Sequence, residues 1–117
     1  MYGTVALMRV KPGMEALLIE HFHYFEAARR PGVVAVYCYS TDANAQEYYV
    51  TVVFESKEAY RSNAESSEQD RLYRQMLPLL ESEPEWHDGE IVYALNQALF
   101  SAIQAQTPTV QSKRSSL

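Results

Sequence analysis

The stretch "EYYVTVVFES", residues 47–56, decides the fold. Tyr, Val, Thr and Phe favour a pleated, packed surface, so the segment predicts a β-strand. Side chains alternate across a strand, which sets Tyr48, Val50, Val52 and Phe54 on one face and Tyr49, Thr51 and Val53 on the other. Both faces are therefore largely apolar. A strand of a small antiparallel domain ordinarily keeps one face wet, so something has to cover the second.

Working outward, "GTVALMRV" (3–10) predicts a preceding strand, stopped by Pro12 and Gly13. In "MEALLIEHFHYFEAARR" (14–30), Met14, Leu17, Leu18, His21, Phe22, Phe25 and Ala28 recur at three- and four-residue steps, the period of a helix. Arg29 and Arg30 are expected in its last turn, where the helix dipole favours cations, and Pro31-Gly32 ends it. "VVAVYCYS" (33–40) reads as a strand, hairpin partner of the opening segment across the polar "TDANAQ". Ser56 predicts an N-cap for "KEAYRSNAE". Ser67 is expected to start the next helix, "EQDRLYRQMLPLLE", with Asp70 closing a capping box and Pro78 kinking the chain or opening a new turn. "SEPEWHDG" reads as loop and "EIVYAL" (90–95) as the last strand. The pattern predicts one domain over 1–95 and a C-terminal extension over 96–117, a weak helix followed by a flexible tail.

The order β-α-β-β-α-β is the ferredoxin-like, α+β arrangement: an antiparallel four-stranded sheet with its helices on one side. Four strands about 4.8 Å apart, each showing about five residues at 3.3 Å, leave roughly 300 Å² of sheet bare. At about 25 cal/mol per Å² that area offers on the order of 8 kcal/mol of apolar burial per protomer. Monomers rarely leave so large an apolar patch in water. The expected cover is a second copy, giving a homodimer joined through its sheet faces.

Bulk properties narrow the partners. The chain has 117 residues and a net charge of −5. Setting aside Lys113 and Arg114 leaves 8 bases against 15 acids, so residues 1–106 carry −7 and repel phosphate backbones and anionic lipid. RNA-recognition domains share this strand order and place aromatics on the third strand, but they need basic neighbours. Here Glu47 and Glu55 flank a strand without Lys or Arg, so no nucleic acid is expected. No apolar run reaches the length of a membrane span. The N-terminus shows no signal-peptide pattern, which makes the cytoplasm the expected compartment. Cys38 is a lone cysteine in an apolar strand and reads as packing. His21 and His23 would share a face of a strand, but on a helix they diverge by about 200°, so no metal site is expected. No glycine-rich phosphate loop is present, and no cofactor is implied.

The succession "VKPGMEALLIEHF", "PGVVAVYCYS", "YYVTVVFESKEAYRSNAES" and "EWHDGEIVY" resembles the antibiotic biosynthesis monooxygenase family of dimeric α/β barrels, over residues 2–95. The resemblance implies a homodimer whose two sheets close a barrel, each protomer holding a pocket between sheet and helices. It also implies cofactor-independent oxygenation of anthrones or quinols, or haem degradation in another branch. The haem-degrading asparagine, tryptophan and histidine fall near Ala6, Asn63 and Tyr73, and none is kept.

Three residues are candidates for catalysis. His21 lies on the apolar stripe of the first helix and points at the expected pocket, where a neutral imidazole could take a proton from a carbon acid. The alternative is a packed, hydrogen-bonded core histidine. Asn63 and Tyr73 belong to the segment that roofs the pocket in relatives, where an amide and a phenol could stabilise an enolate oxygen. Capping and packing are the alternatives for both. Trp86 and His87 read as anchors of a rim loop. Two functions follow: a cofactor-independent monooxygenase of a small electron-rich aromatic (quinol, anthrone or polyketide-like), or a non-catalytic dimer that binds a small apolar or aromatic ligand in the same pocket.

Overall fold

The computed structural model of the chain describes residues 1–96. Its elements are β1 (Tyr2–Arg9), α1 (Glu15–Ala27), β2 (Val33–Ser40), β3 (Glu47–Phe54), α2 (Lys57–Ala64), α3 (Ser67–Met76) and β4 (Glu85–Glu90), with a 3-10 turn at Leu77–Leu79. The strands form one sheet in the order β2-β3-β1-β4, every neighbouring pair antiparallel. This is the α+β, ferredoxin-like fold that the alternating pattern predicts. Beyond Asn96, the weak helix and tail expected over 96–117 lie outside the described residues.

The β1–β3 register pairs Ala6 with Val50 and Met8 with Tyr48. These four side chains share the face on which the helices lie, and all are buried. Leu18 of α1, Met76 of α3, Val10 and Leu80 complete the core. Burying one such side chain stabilises the fold by about 1.5–3 kcal/mol. Cys38 packs against this core from β2. Burial pushes its thiol up to about 11, so it stays protonated and packs as an apolar group.

Four local details depart from the sequence expectation. Helix α1 ends at Ala27, and Arg29 takes a left-handed φ of 48°. Arg29 and Arg30 therefore lie past the last turn, and Arg30 is free to reach elsewhere. Leu17 of the proposed stripe is exposed. The N-cap of α3 is Ser66 rather than Ser67: its Oγ accepts from the Gln69 N–H. Asp70 pairs with Arg74 instead of closing a capping box. Pro78 does open a new turn, since a missing N–H is harmless at the start of one.

The largest correction concerns the last strand. Residues 85–90 ("EWHDGE") form β4, and 91–96 ("IVYALN") carry no regular structure. Hydropathy misplaces it because β4 is an edge strand whose six residues are all exposed, while the apolar run follows it. Trp86 and His87 thus sit on a strand, with Trp86 opposite Ala6 on the helix-side face and His87 opposite Val5 on the other.

The second sheet face carries Val5, Leu7, Tyr37, Tyr39, Tyr49, Thr51 and Val53, and no helix of the described residues crosses it. Tyr39 and Tyr49 stack there at 5.7 Å. Tyr37 and Tyr39 are 60% and 57% exposed, so among the described residues this part of the apolar face is open. Val92 and Tyr93, beyond β4, are 93% and 78% exposed. The β2–β3 register shifts between Val33 and Ala35, a bulge at the start of the edge strand.

Candidate active site

Between the helices and the sheet lies a cavity of two joined chambers. The outer one, about 380 Å³, is bordered by Thr4, Phe54, Tyr60, Asn63 and Asp88. The inner one, about 50 Å³, is bordered by Met8, His21, Val50, Leu72 and Met76. Phe25, Val52, Gln69, Tyr73 and Trp86 line both. All three residues singled out from sequence border this cavity: His21 the inner chamber, Asn63 the outer, Tyr73 the passage between them.

His21 is buried on α1, one turn below Phe25. Among the described residues no hydrogen bond reaches its ring nitrogens, and its one ring contact is Phe22 at 6.4 Å. Burial in this apolar setting lowers its pKa from the ordinary 6.5, because the cation would lose its hydration. At neutral pH it is an uncharged base with an available lone pair. His23 is exposed and borders a separate groove beside β2, so the two histidines diverge as helical geometry requires.

Asn63 is buried near the end of α2 and held from one side. Arg30 Nε donates to Asn63 Oδ1 at 2.8 Å, and Arg30 Nη2 donates to Ser66 Oγ at 2.6 Å. Guanidinium can only donate, so it fixes which end of the amide faces it. The Nδ2 end is left, with no hydrogen bond to any described residue, on a side chain that borders the outer chamber. A cation on the amide oxygen also polarises the N–H bonds and strengthens them as donors.

The turn after α1 explains how Arg30 arrives there. Gly32 adopts φ +80°, and a Cβ at that position would stand 2.6 Å from Ala59 Cβ. Only glycine allows both the conformation and the approach to α2. The Gly32 carbonyl accepts from the Glu55 N–H at 2.8 Å, which ties the turn to the start of α2. Sequence reasoning placed Arg30 in a helix and so missed this role.

The mouth of the outer chamber carries a second polar group. Tyr60 Oη donates to Asp88 Oδ2 at 2.6 Å, and Thr4 Oγ1 donates to Asp88 Oδ1 at 2.7 Å. Tyr60 packs between Tyr2 and Phe54, at 5.2 and 5.4 Å. Desolvation, reinforced by the bond to the Asp88 carboxylate, pushes its phenol up to about 12. Tyr60 is thus a committed donor that orients Asp88. Tyr73 lies 6.4 Å from Trp86, and their tilted rings form an aromatic wall. Reading 82–89 as loop concealed both Trp86 and Asp88; the signal lay in their alternation with Glu85 and His87.

The site is an apolar chamber with few polar groups: an unpaired base at its inner end, an amide donor backed by a cation, and a carboxylate at the mouth. Among the described residues no cluster of three or more His, Cys, Asp or Glu could hold a metal ion. No helix there is long and apolar enough to cross a membrane.

Comparison with known proteins agrees with this architecture. The family model for antibiotic biosynthesis monooxygenase matches residues 1–75. No curated protein matches the sequence. Among solved structures, SnoaB of Streptomyces nogalater, a cofactor-independent oxygenase solved with one asparagine changed to alanine, is similar at 19% identity. The match covers 80% of this chain and 95% of that one, with a TM-score of 0.70. A Caulobacter crescentus CB15 structure described under the same family name is 20% identical over 79% and 90% of the two chains, TM-score 0.69. A conserved protein of Methanosarcina mazei Go1 is 15% identical over 74% and 88%, TM-score 0.65. At these identities the structural likenesses speak for the fold.

Proposed function

The chain belongs to the antibiotic biosynthesis monooxygenase family, and from that premise we propose that it is a cofactor-independent monooxygenase of a small electron-rich aromatic, a quinol, anthrone or polyketide-like compound. The observation that carries this reading is His21: a buried, uncharged base without a hydrogen-bonding partner among the described residues, bordering an apolar cavity shared with Asn63 and Tyr73. A core histidine kept for packing would normally have its nitrogens satisfied.

In the proposed reaction His21 takes a proton from the activated carbon of the substrate. The Asn63 N–H and the Tyr73 hydroxyl stabilise the oxygen on which negative charge gathers. The anion donates an electron to O₂, and the radical pair closes a C–O bond. A proton returned from His21 gives the hydroperoxide. Loss of the remaining C–H proton with cleavage of the O–O bond releases water. The balance is CH₂ + O₂ → C=O + H₂O, with no outside reductant. The apolar walls of Phe25, Val52 and Trp86 offer the substrate's ring an apolar seat.

The bare sheet face belongs to the same proposal. A second copy packed on Val5, Tyr37, Tyr39 and Val53 buries the patch and makes the homodimer. The working compartment is the cytoplasm.

Oxygen uptake with a panel of anthrones and quinols tests the activity. Turnover by the wild type is expected, with His21→Gln lowering kcat/KM by about 10²–10⁴-fold. Unchanged turnover in His21→Gln rejects this base, and no uptake with any compound rejects the enzyme. One observation favours the second reading, a non-catalytic binding dimer: among the described residues no carboxylate pairs with His21 to complete an acid–base pair. Ligand retained in native mass spectra without product is its signature.

A further inference from the structure

Gln69, at the third position of α3, carries the one buried side-chain oxygen or nitrogen among the described residues that has no hydrogen-bond partner: its Oε1. The residue lines both chambers, beside Tyr73, Trp86, Phe25 and Val52. Local structure explains how it comes to be there. Ser66-Ser67-Glu68-Gln69 has the form of a capping box, in which the glutamine side chain would turn back to the N–H of the cap residue. Here the Ser66 N–H donates instead to the Asn63 carbonyl at 3.1 Å, because α2 runs almost directly into α3. The return bond is pre-empted. Ser66 Oγ still accepts from the Gln69 N–H at 3.1 Å, so the backbone is capped while the amide head goes elsewhere.

An unpartnered acceptor among apolar walls works against folding, since it loses water and gains nothing in return. Folding therefore supplies no reason for glutamine at this position, where leucine or methionine would fill the same space. A carbonyl oxygen accepts only, so its natural complement is a ligand that donates, met by a turn of the amide head from its fully buried position into the chamber.

We propose that Gln69 is a substrate-orienting residue that accepts a hydrogen bond from a hydroxyl on the aromatic ligand, selecting phenol-type compounds over their ethers. The inference rests on the reading of the cavity as an aromatic site and adds to it the functional group recognised. Asn63 Nδ2 and Gln69 Oε1 then form a donor–acceptor pair: the first faces an oxygen bearing charge, the second a ring hydroxyl. A site built to bond a hydroxyl rejects the analogue lacking that proton, because the protein oxygen is again left unpaired.

The test uses 1-naphthol and 1-methoxynaphthalene as probes, titrated into the full chain by calorimetry. The wild type is expected to bind the naphthol about 10- to 100-fold more tightly than the ether. Gln69→Leu and Gln69→Met should both bring the two affinities within roughly three-fold of each other, and both should raise the thermal midpoint by removing the unpaired oxygen. The affinity ratio is the decisive readout, because a purely structural role for Gln69 would leave it unchanged. Equal binding of both probes by the wild type overturns the inference while leaving the aromatic cavity intact. A naphthol preference that survives in both variants overturns the assignment to Gln69. Binding of neither probe removes the aromatic reading, and the inference with it.

Discussion

The two faces of the sheet are built from the same strands and nearly the same residue types, yet one is a core and the other is a surface. On the helix side, Ala6, Met8, Val50 and Phe54 are closed off by Leu18, Leu72 and Met76 and by the ring of Tyr60. On the far side Val5, Tyr37 and Tyr39 are exposed, with no helix of the described residues over them. Apolar content alone does not make a core. Among the described residues helices cover one face only, and an exposed apolar face of this kind is a surface that a partner could bury. Both faces mix aliphatic and aromatic side chains; the open one is set apart by Tyr37 and Tyr39, whose hydroxyl tips tolerate water.

Neighbouring residues on β3 test that contrast most sharply. Phe54→Ala on the covered face should cost about 3–5 kcal/mol, read from the denaturant midpoint. A loss below about 1 kcal/mol would mean that the helix-side core does not carry the fold. One residue earlier, Val53→Asp should leave the circular dichroism of a folded chain but raise the dimer Kd at least ~100-fold, about 2.7 kcal/mol, by sedimentation. A chain that stays dimeric, or that unfolds outright, would erase the distinction between the faces.

Smaller effects probe the covered side from within. Arg30→Met removes charged hydrogen bonds to Asn63 and Ser66 and should cost about 1.5–3 kcal/mol, with a fall in kcat/KM as the Asn63 amide becomes free to rotate. Unaltered turnover would reduce Arg30 to a structural clip. The smallest effect is one of pH. His21 is held below its ordinary 6.5 in the folded chain. Above that pH it is neutral in both states and contributes nothing to the pH dependence. As pH falls through 6.5 the unfolded chain binds a proton that the folded one refuses, so stability declines, by at most about 1.4 kcal/mol per pH unit, until the lowered pKa is passed. His21→Gln should flatten that slope between pH 7 and 5. The same lowered pKa places the acid limb of the rate profile below 6.5.

The architecture was legible in the sequence because it rests on periodicity. Phe54 and Val50 against Tyr49 and Val53, and Leu18, His21 and Phe22 on α1, announce their faces by spacing alone. His21 was placed on the cavity wall by the same spacing, whereas Asn63 and Tyr73 were placed there by the family resemblance; all three border the cavity. Arg30, Gln69 and Asp88 were not, and each failed for a different physical cause. Arg30 acts from a left-handed turn that follows the helix it had been assigned to. Gln69 matters because a backbone bond elsewhere displaces its usual capping bond. Asp88 stands on an edge strand too exposed to show a hydrophobic pattern. Function here depends on which hydrogen bonds are already taken, and that is a property of the assembled chain.

The shifted register at Val33 and Ala35 has a consequence for how copies of this protein meet. A sheet has two rims of unpaired peptide groups besides its faces, and such rims invite unlimited strand-to-strand growth. At one rim the bulge at the start of β2 adds local twist that a straight incoming strand cannot follow. At the other, β4 sets out Glu85, His87, Asp88 and Glu90, an acidic fringe that repels its own duplicate. Open-ended stacking is discouraged at both margins, and the sheet's stickiness is confined to its exposed face.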